Sequence, residues 1–202
     1  MCREFVDSDC TSAGSKVFLD MYRLVRRIPD GDDHERLVCP DCDFIAYENP
    51  KVIVGSIVAE GDRVLLCRRA IEPRAGFWTI PAGYMEMGET ATEGAQREAW
   101  EEARARIDID AILAVYSIAR LGQVQVIFRA RLAEPSFEAG TESLEVRQFG
   151  WDEIPWDDIA FPSVRWALNA WYDTRSFPFP TAVLNPPDDA RGILPLPGGP
   201  LT

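Results

Sequence analysis

The hydrophobic positions after the first quarter of the chain form short β-prone runs separated by turn residues. Two such runs, "KVIVGSIVAE" and "RVLLCRRA", are joined by Gly61-Asp62, which predicts a β-hairpin. The next run, "FWTIPAGYM", predicts a short strand followed by a Pro/Gly turn.

Apolar residues at helical spacing mark two helices among further strands. The first is predicted over Thr90–Arg104, where Thr90 is the N-cap and Glu93 completes a capping box. The second is expected to begin near Ser163, because Val164 starts an apolar stripe of period three to four. The remaining strands are expected at Ile107–Ala119, Val124–Leu132 and Glu145–Phe149. These elements indicate an α/β or α+β sandwich around a largely antiparallel sheet.

Composition divides the chain into four segments. We expect residues 1–20 to be poorly ordered and residues 21–50 to form a small ribbon with a Cys-x-x-Cys pair. The main domain is expected to span residues 51–177. Residues 178–202 are rich in Pro and Gly, which predicts an extended or disordered tail.

The charge and cysteine content narrow the possible functions. The net charge of −12 disfavours nucleic-acid and anionic-membrane binding, both of which need a basic surface. No signal peptide is recognisable, and the apolar run at 52–59 is too short to cross a bilayer. Five cysteines, an odd number, argue against a disulfide framework and favour a reducing, cytoplasmic location.

The first predicted helix crowds carboxylates onto one side. At about 100° per residue, Glu98 and Glu102 lie in one narrow stripe and Glu101 lies at its edge. A solvated charged face would mix these glutamates with basic residues. Their neighbours in the stripe are instead small residues, which allow a second segment to approach: Ala91, Gly94, Ala95 and Ala105. A hard divalent cation is the economical partner for such carboxylates.

The segment "GYMEMGETATEGAQREAWEEARA", residues 83–105, resembles the Nudix box, Gly-x5-Glu-x7-Arg-Glu-U-x-Glu-Glu-x-Gly-U, in which U is a bulky aliphatic residue. The resemblance implies an α/β fold, a Nudix-type α/β/α sandwich with a mixed sheet, preceded here by a small degenerate zinc-ribbon-like β segment. It also implies that Arg97 orients Glu89. The implied ligands of Mg²⁺ or Mn²⁺ are Glu98, Glu101, Glu102 and the backbone carbonyl of Gly83.

Two positions depart from the box. Arg104 occupies the glycine position at the helix end, where glycine permits a left-handed C-cap. Either Arg104 takes that conformation with strain, or the helix runs on to Arg106. Ala99 replaces a larger aliphatic residue.

The resemblance implies hydrolysis of a nucleoside diphosphate linked to another moiety. The metal would neutralise the diphosphate and lower the pKa of a bound water, which attacks phosphorus. A carboxylate must accept the proton from that water. Three candidates for this base remain open at this point: Glu101, Glu142 and Glu145.

Substrate contacts are expected just before the box. Arg68, Arg69 and Arg74 are candidates for phosphate binding, and ordinary surface arginines are the alternative. Tyr84 is a candidate for stacking on a base or a flavin ring. Three further aromatic residues are candidates for stacking or for the core: Trp78, Tyr116 and Phe128.

The pair Cys39 and Cys42 resembles one knuckle of a zinc ribbon. By alignment to ribbon-bearing relatives, the other knuckle would fall where this chain has Val17 and Asp20. We therefore expect a degenerate ribbon without zinc. Residues that could replace the missing ligands are Cys2, Cys10 and His34.

Several segments, including "RRIPDGD", "ENPKVIVG" and "LLCRRAIEP", resemble the ribbon-bearing branch of FAD, NADH and ADP-ribose pyrophosphatases. The resemblance implies that a small nucleotide such as FAD or ADP-ribose is cleaved to AMP and a second phosphate product. It also implies that the protein can form a homodimer. Two alternatives remain open, a (d)NTP pyrophosphohydrolase and a non-catalytic nucleotide sensor of the same fold.

Overall fold

The computed structural model describes residues 24–178 and 181–191. The expectation for residues 1–20 therefore lies outside the described residues. The chain divides into two units between Asn49 and Pro50. No helix in the described ranges is both long and apolar enough to cross a membrane.

The first unit is a three-stranded antiparallel sheet of strands β1 (Val25–Arg27), β2 (Arg36–Val38) and β3 (Ile45–Ala46). The turn after β2 begins at the buried Cys39, whose carbonyl accepts from Asp43 N at 2.9 Å. This turn is the predicted cysteine knuckle. Of the residues considered as zinc ligands, the described ranges include Cys39, Cys42 and His34. Cys2 and Cys10 fall outside these ranges, as do Val17 and Asp20 at the position of the missing knuckle.

The second unit is built on a mixed sheet in which a single pair of strands, β4 with β9, is parallel among the described residues. The strand order is β10-β5-β4-β9-β8. The strands are β4 (Lys51–Glu60), β5 (Arg63–Arg69), β8 (Ile107–Ile118), β9 (Gln123–Leu132) and β10 (Ser143–Gly150). The predicted mixed, largely antiparallel sheet is confirmed.

The hairpin at Gly61-Asp62 is present, but its strands soon diverge. Strands β4 and β5 pair only at two positions next to the turn. Beyond them, β6 (Trp78–Thr79) pairs with β5 and β7 (Ala82–Tyr84) pairs with β4. The turn at residues 80–83, here called the Pro81 turn, therefore lies in the gap between the diverging strands.

Two helices cover opposite faces of this sheet. The helices are α1 (Ala91–Ala103) and α2 (Pro162–Thr174). Ala99 and Ala103 of α1 pack in one cluster with Val58, and α2 packs in a second cluster with Ile57. Neighbouring strand residues point to opposite faces, so the two clusters lie on opposite sides of the sheet. The predicted Nudix-type α/β/α sandwich is confirmed.

The helix α1 is capped at both ends, which fixes its length. Thr90 caps the N-terminus, and both hydrogen bonds of the capping box with Glu93 are present. At the other end Arg104 adopts a left-handed conformation with φ of 49°. The expectation that the helix runs on to Arg106 is wrong, because Arg104 takes the conformation that glycine would otherwise provide.

The described part of the C-terminal tail, residues 181–191, lies along the edge strand β8. Val183 N donates to Leu113 O at 3.0 Å, and Val115 N donates to Val183 O at 2.9 Å. The Asn185 side chain bonds both the N–H and the C=O of Ser117. The part of this segment up to Asn185 is hydrogen-bonded to the sheet, whereas Pro187–Asp189 form a short 3-10 helix that the predicted extended or disordered tail did not include.

Gly55 is required where β4 meets the Pro81 turn. A methyl group placed on Gly55 would lie 3.0 Å from Pro81 O and would overlap the Ala82 side chain. We expect Gly55→Ala to lower the free energy of unfolding by about 2 kcal/mol, since the two segments must separate. Urea denaturation measures this change.

The matched control is Gly150→Ala. A methyl group on Gly150 would meet its nearest neighbour at 3.6 Å, which is ordinary contact. The Gly150 variant should unfold close to the parent midpoint. Equal midpoints for both variants would contradict the close approach at Gly55.

Candidate active site

Helix α1 directs two glutamates under the Pro81 turn. Glu98 and Glu102 are buried. Ala82 N donates to Glu102 Oε2 at 3.2 Å, and a methyl group on Gly83 would lie only 2.5 Å from Glu98 Oε2. These two carboxylates therefore face the turn rather than solvent and converge on it.

Arg97 connects the remaining acidic residues of the box. Its guanidinium makes a bidentate contact with Glu89, at 3.0 Å from Nε and 2.8 Å from Nη2. Its Nη1 donates to Glu98 Oε1 at 2.7 Å and to the half-exposed Glu101 at 3.0 Å. Nη2 also donates to the Tyr84 carbonyl at 3.0 Å. One cation thus joins the helix, the loop before it and strand β7.

The electrostatic environment separates these carboxylates. Burial raises the pKa of Glu102 to about 8, and the nearby charge of Glu98 adds to the shift, while the Ala82 N–H opposes it. Burial also raises the pKa of Glu98. The Arg97 guanidinium lowers the pKa of Glu89 to about 2. Glu89 is therefore ionised at neutral pH, whereas burial disfavours the ionised forms of Glu102 and, despite its contact with Arg97, of Glu98.

These residues open into a cavity of about 570 Å³ with two chemically different ends. The acidic end holds the glutamates of α1. A second set of lining residues, here called the aromatic end, combines aliphatic side chains with two aromatic rings and two amides. Its main members are Ile118, Ile127, Phe161, Val164, Trp166, Gln123 and Gln125.

The predicted substrate-binding and catalytic residues fall into two groups. Arg69, Tyr84 and Glu142 line the cavity. Arg68 and Arg74 are not among its lining residues: Arg68 Nε donates to Gly76 O at 2.9 Å, and Arg74 Nε donates to Ala160 O at 3.3 Å. The structure therefore brings one of the three predicted arginines to the cavity.

The aromatic candidates divide in the same way. Trp78, Tyr116 and Phe128 are buried in the core, whereas Tyr84 is 52% exposed. Sequence reasoning missed Phe161 and Trp166. A signal existed for Trp166, a large aromatic residue that lies off the apolar stripe of its helix. Phe161 precedes the helix, and its position follows only from the tertiary fold.

The residues at the acidic end fit a hard divalent cation. Their donors are carboxylate oxygens, and a single N–H-bearing atom, Arg97 Nη1, already bridges Glu98 and Glu101. Within residues 24–178 and 181–191, a group of three His, Cys, Asp or Glu side chains with ligand atoms within 4.8 Å occurs only at Asp32, Asp33 and His34. The box glutamates are therefore spread around Arg97 and would have to rearrange to share an ion.

Two family models match the chain and agree with this geometry. The family model described as NUDIX domain matches residues 49–167, and the one described as Nudix N-terminal matches residues 22–48. The chain belongs to the Nudix hydrolase family and carries the N-terminal ribbon segment of its ribbon-bearing branch.

Known structures and sequences agree with this assignment. A Nudix hydrolase from Nitrosomonas europaea is 48% identical, with a TM-score of 0.75, and the match covers 80% of this chain and 93% of that one. A MutT-like protein from Streptomyces ambofaciens is 33% identical over 50% of this chain and 64% of its own length. An ADP-ribose pyrophosphatase from Methanocaldococcus jannaschii is 28% identical over 54% and 67%. The chain thus spans about two thirds of these curated relatives.

The raised pKa of Glu102 predicts how the stability of the metal-free protein depends on pH. Because this pKa is about 8 in the folded state against an ordinary value of 4.5, ionisation of Glu102 increasingly destabilises the fold as the pH rises from 4.5 to 8. Glu102→Gln removes this cost. We expect the variant to gain at least about 1 kcal/mol over the parent at pH 8, and little at pH 5, by urea denaturation in EDTA.

The control is Glu93→Gln, which changes an exposed carboxylate of the same helix and keeps a side chain that suits the capping box. Its difference from the parent should stay constant between pH 5.5 and pH 8, because the capping hydrogen bonds lower the pKa of Glu93. A constant difference for Glu102→Gln as well would contradict the raised pKa.

Proposed function

We propose that the protein hydrolyses the phosphoanhydride bond of a nucleoside diphosphate linked to a second moiety. The proposed substrates are FAD or ADP-ribose, giving AMP and a second phosphate product. The observation that carries this proposal is the cavity, whose acidic end suits a metal-bound diphosphate and whose aromatic end suits a flat ring.

The acidic residues of α1 would hold Mg²⁺ or Mn²⁺. We assign Glu98, Glu101 and Glu102 as ligands, together with the carbonyl of Gly83. The ion would supply charge neutralisation for the diphosphate and would activate a water. Arg97 keeps Glu89 and the loop before α1 in place through its bidentate contact, so that the ligand side chains stay oriented.

Glu142 is the proposed general base. It lines the cavity together with Glu98 and Glu102. Burial is the main cause of the raised pKa of these two residues, and the charge of Glu142 adds to it, so Glu142 lies within electrostatic reach of the proposed metal ligands. Glu101 is already engaged by Arg97. Glu145 is exposed, approaches Arg68 at 3.9 Å and is not among the lining residues. Glu142 would accept the proton of the attacking water.

The charge of the cavity favours a diphosphate diester over a nucleoside triphosphate. Six carboxylates line it against three guanidinium groups. Two of those three are committed, since Arg97 is bonded to glutamates and Arg69 Nε donates to Pro73 O at 2.9 Å. A diester carries one charge per phosphate and a triphosphate carries more, so the triphosphate is repelled more strongly.

The second moiety of the substrate would bind at the aromatic end. Trp166, which packs edge-on with Tyr116, and Phe161, which has Arg69 over its ring at 5.3 Å, would provide apolar contact. The amides of Gln123 and Gln125 would offer donors and acceptors for the edge of a base. The ADP-ribose pyrophosphatase among the relatives supports this substrate class. All carboxylates of the box are kept, among them Glu98, Glu101 and Glu102, which favours a catalytic protein over a non-catalytic sensor.

A substrate panel tests the proposal. With Mg²⁺, we expect AMP from FAD or ADP-ribose at a rate at least about tenfold above the release of pyrophosphate from any dNTP. Glu98→Gln should lower kcat by about 100-fold or more, because a metal ligand is lost. Chromatographic separation of the products measures both quantities.

Glu93→Gln is the control, since it alters the same helix away from the cavity, and it should keep full turnover. Turnover of dNTPs alone would contradict the substrate class. Full Mg²⁺-dependent turnover by Glu98→Gln would contradict the metal site.

A further inference from the structure

The turn that carries Glu142 is docked directly on the C-terminal end of α1. Glu138 N donates to Ala103 O at 2.8 Å, and Gly140 N donates to Glu102 O at 3.0 Å. Carbonyl groups in the last turn of a helix have no donor within the helix. Residues 138–140 therefore supply the cap that satisfies them.

Gly140 makes this docking possible because it has no side chain. A methyl group on Gly140 would overlap the carbonyl oxygen of Glu101 and would lie 2.8 Å from its carbonyl carbon and 3.2 Å from that of Glu102. These are backbone atoms of the helix, which cannot turn aside as a side chain would. Gly140 is not among the residues of positive φ. Space, rather than backbone conformation, requires glycine at this position.

The same turn is held from its other side by the sheet. Ala70 N donates to Glu142 O at 2.8 Å, and Ser143 N donates to Gly140 O at 3.2 Å. Ser143 then begins strand β10, which pairs with β5. The backbone of Glu142 is thus fixed between the end of α1 and the end of β5.

We propose that Gly140 is a positioning residue for the hydrolysis. Because the backbone of Gly140 crosses directly over Glu101, it sets the distance between Glu142 and the carboxylates of α1. This inference rests on the proposed function, with Glu142 as the base. It means that the helix holding the metal and the turn holding the base form one rigid unit, which a side chain at residue 140 would separate.

Gly140→Ala tests the proposal. The added methyl group must lift the turn from the helix, and a displacement of about 1 Å in a reacting group costs on the order of 100-fold in rate. We expect kcat for FAD or ADP-ribose to fall by about 10- to 100-fold with little change in KM.

A double-mutant cycle separates positioning from a general structural effect. If Gly140 acts through Glu142, Gly140→Ala should have almost no further effect on kcat in a Glu142→Gln background. Gly150→Ala, at the far end of β10, is the matched glycine control and should leave kcat unchanged. Additive losses in the double variant would overturn the proposal.

Phe137→Ala keeps the proposal testable if Gly140→Ala does not fold. Phe137 packs against the cluster that includes Ala99 and Ala103, so its loss loosens the same turn without a clash. It should lower kcat less than Gly140→Ala does and show the same lack of additivity with Glu142→Gln. Normal kcat in Phe137→Ala would overturn the proposal.

The outcomes also separate this inference from the proposed function. A Glu142→Gln variant with full kcat would refute both the base and the role of Gly140, while loss of turnover in Glu98→Gln would leave the hydrolase function standing. If Glu142→Gln is inactive and Gly140→Ala is fully active, only the positioning role fails.

Discussion

The close approach of α1 to the Pro81 turn is the constraint on which the site depends. Helix and turn meet closely because Gly83 has no side chain, since a methyl group there would overlap the Glu98 carboxylate, and Ala82 N donates to Glu102 Oε2. The approach buries Glu98 and Glu102 where their ionised forms are unfavourable without a cation. The close backbone contact therefore leaves buried negative charge, which a divalent ion would neutralise.

Arg97 shows how the fold tolerates so many carboxylates without a metal. Its guanidinium contacts Glu89, Glu98 and Glu101 at once, so the cluster is partly neutralised from within. The contact with Glu89 is bidentate and leaves that residue fully ionised. An ion entering the site would compete with Arg97 only for Glu98 and Glu101, and Arg97 would remain anchored through Glu89.

Local chemistry made much of the fold predictable. The capping box at Thr90 and the Gly61-Asp62 turn depend on residues close in sequence, and both were predicted correctly. The direction of Glu98 and Glu102 also followed from the helical period and the small residues around them. The left-handed Arg104 was one of two open alternatives, because the loop that completes the cap, at Gly140, lies far away in sequence.

Tertiary contacts account for what the sequence did not show. Arg74 resembles a phosphate ligand by residue type, yet its guanidinium bonds Ala160 O, 86 residues away, and fastens the loop before β6 to the segment before α2. Phe161 and Trp166 reach the cavity because α2 packs in one cluster with sheet residues such as Ile57. No local pattern encodes contacts between segments so far apart.

The C-terminal segment along β8 has a consequence for the association of the protein with itself. Val183 and Asn185 occupy the outward-facing N–H and C=O groups of the last strand in the sheet. A chain shortened before residue 183 would leave this row of groups open, and such a row can recruit a strand from another molecule. The segment 181–191, which composition predicted only to be extended or disordered, therefore protects part of this edge from intermolecular β-pairing.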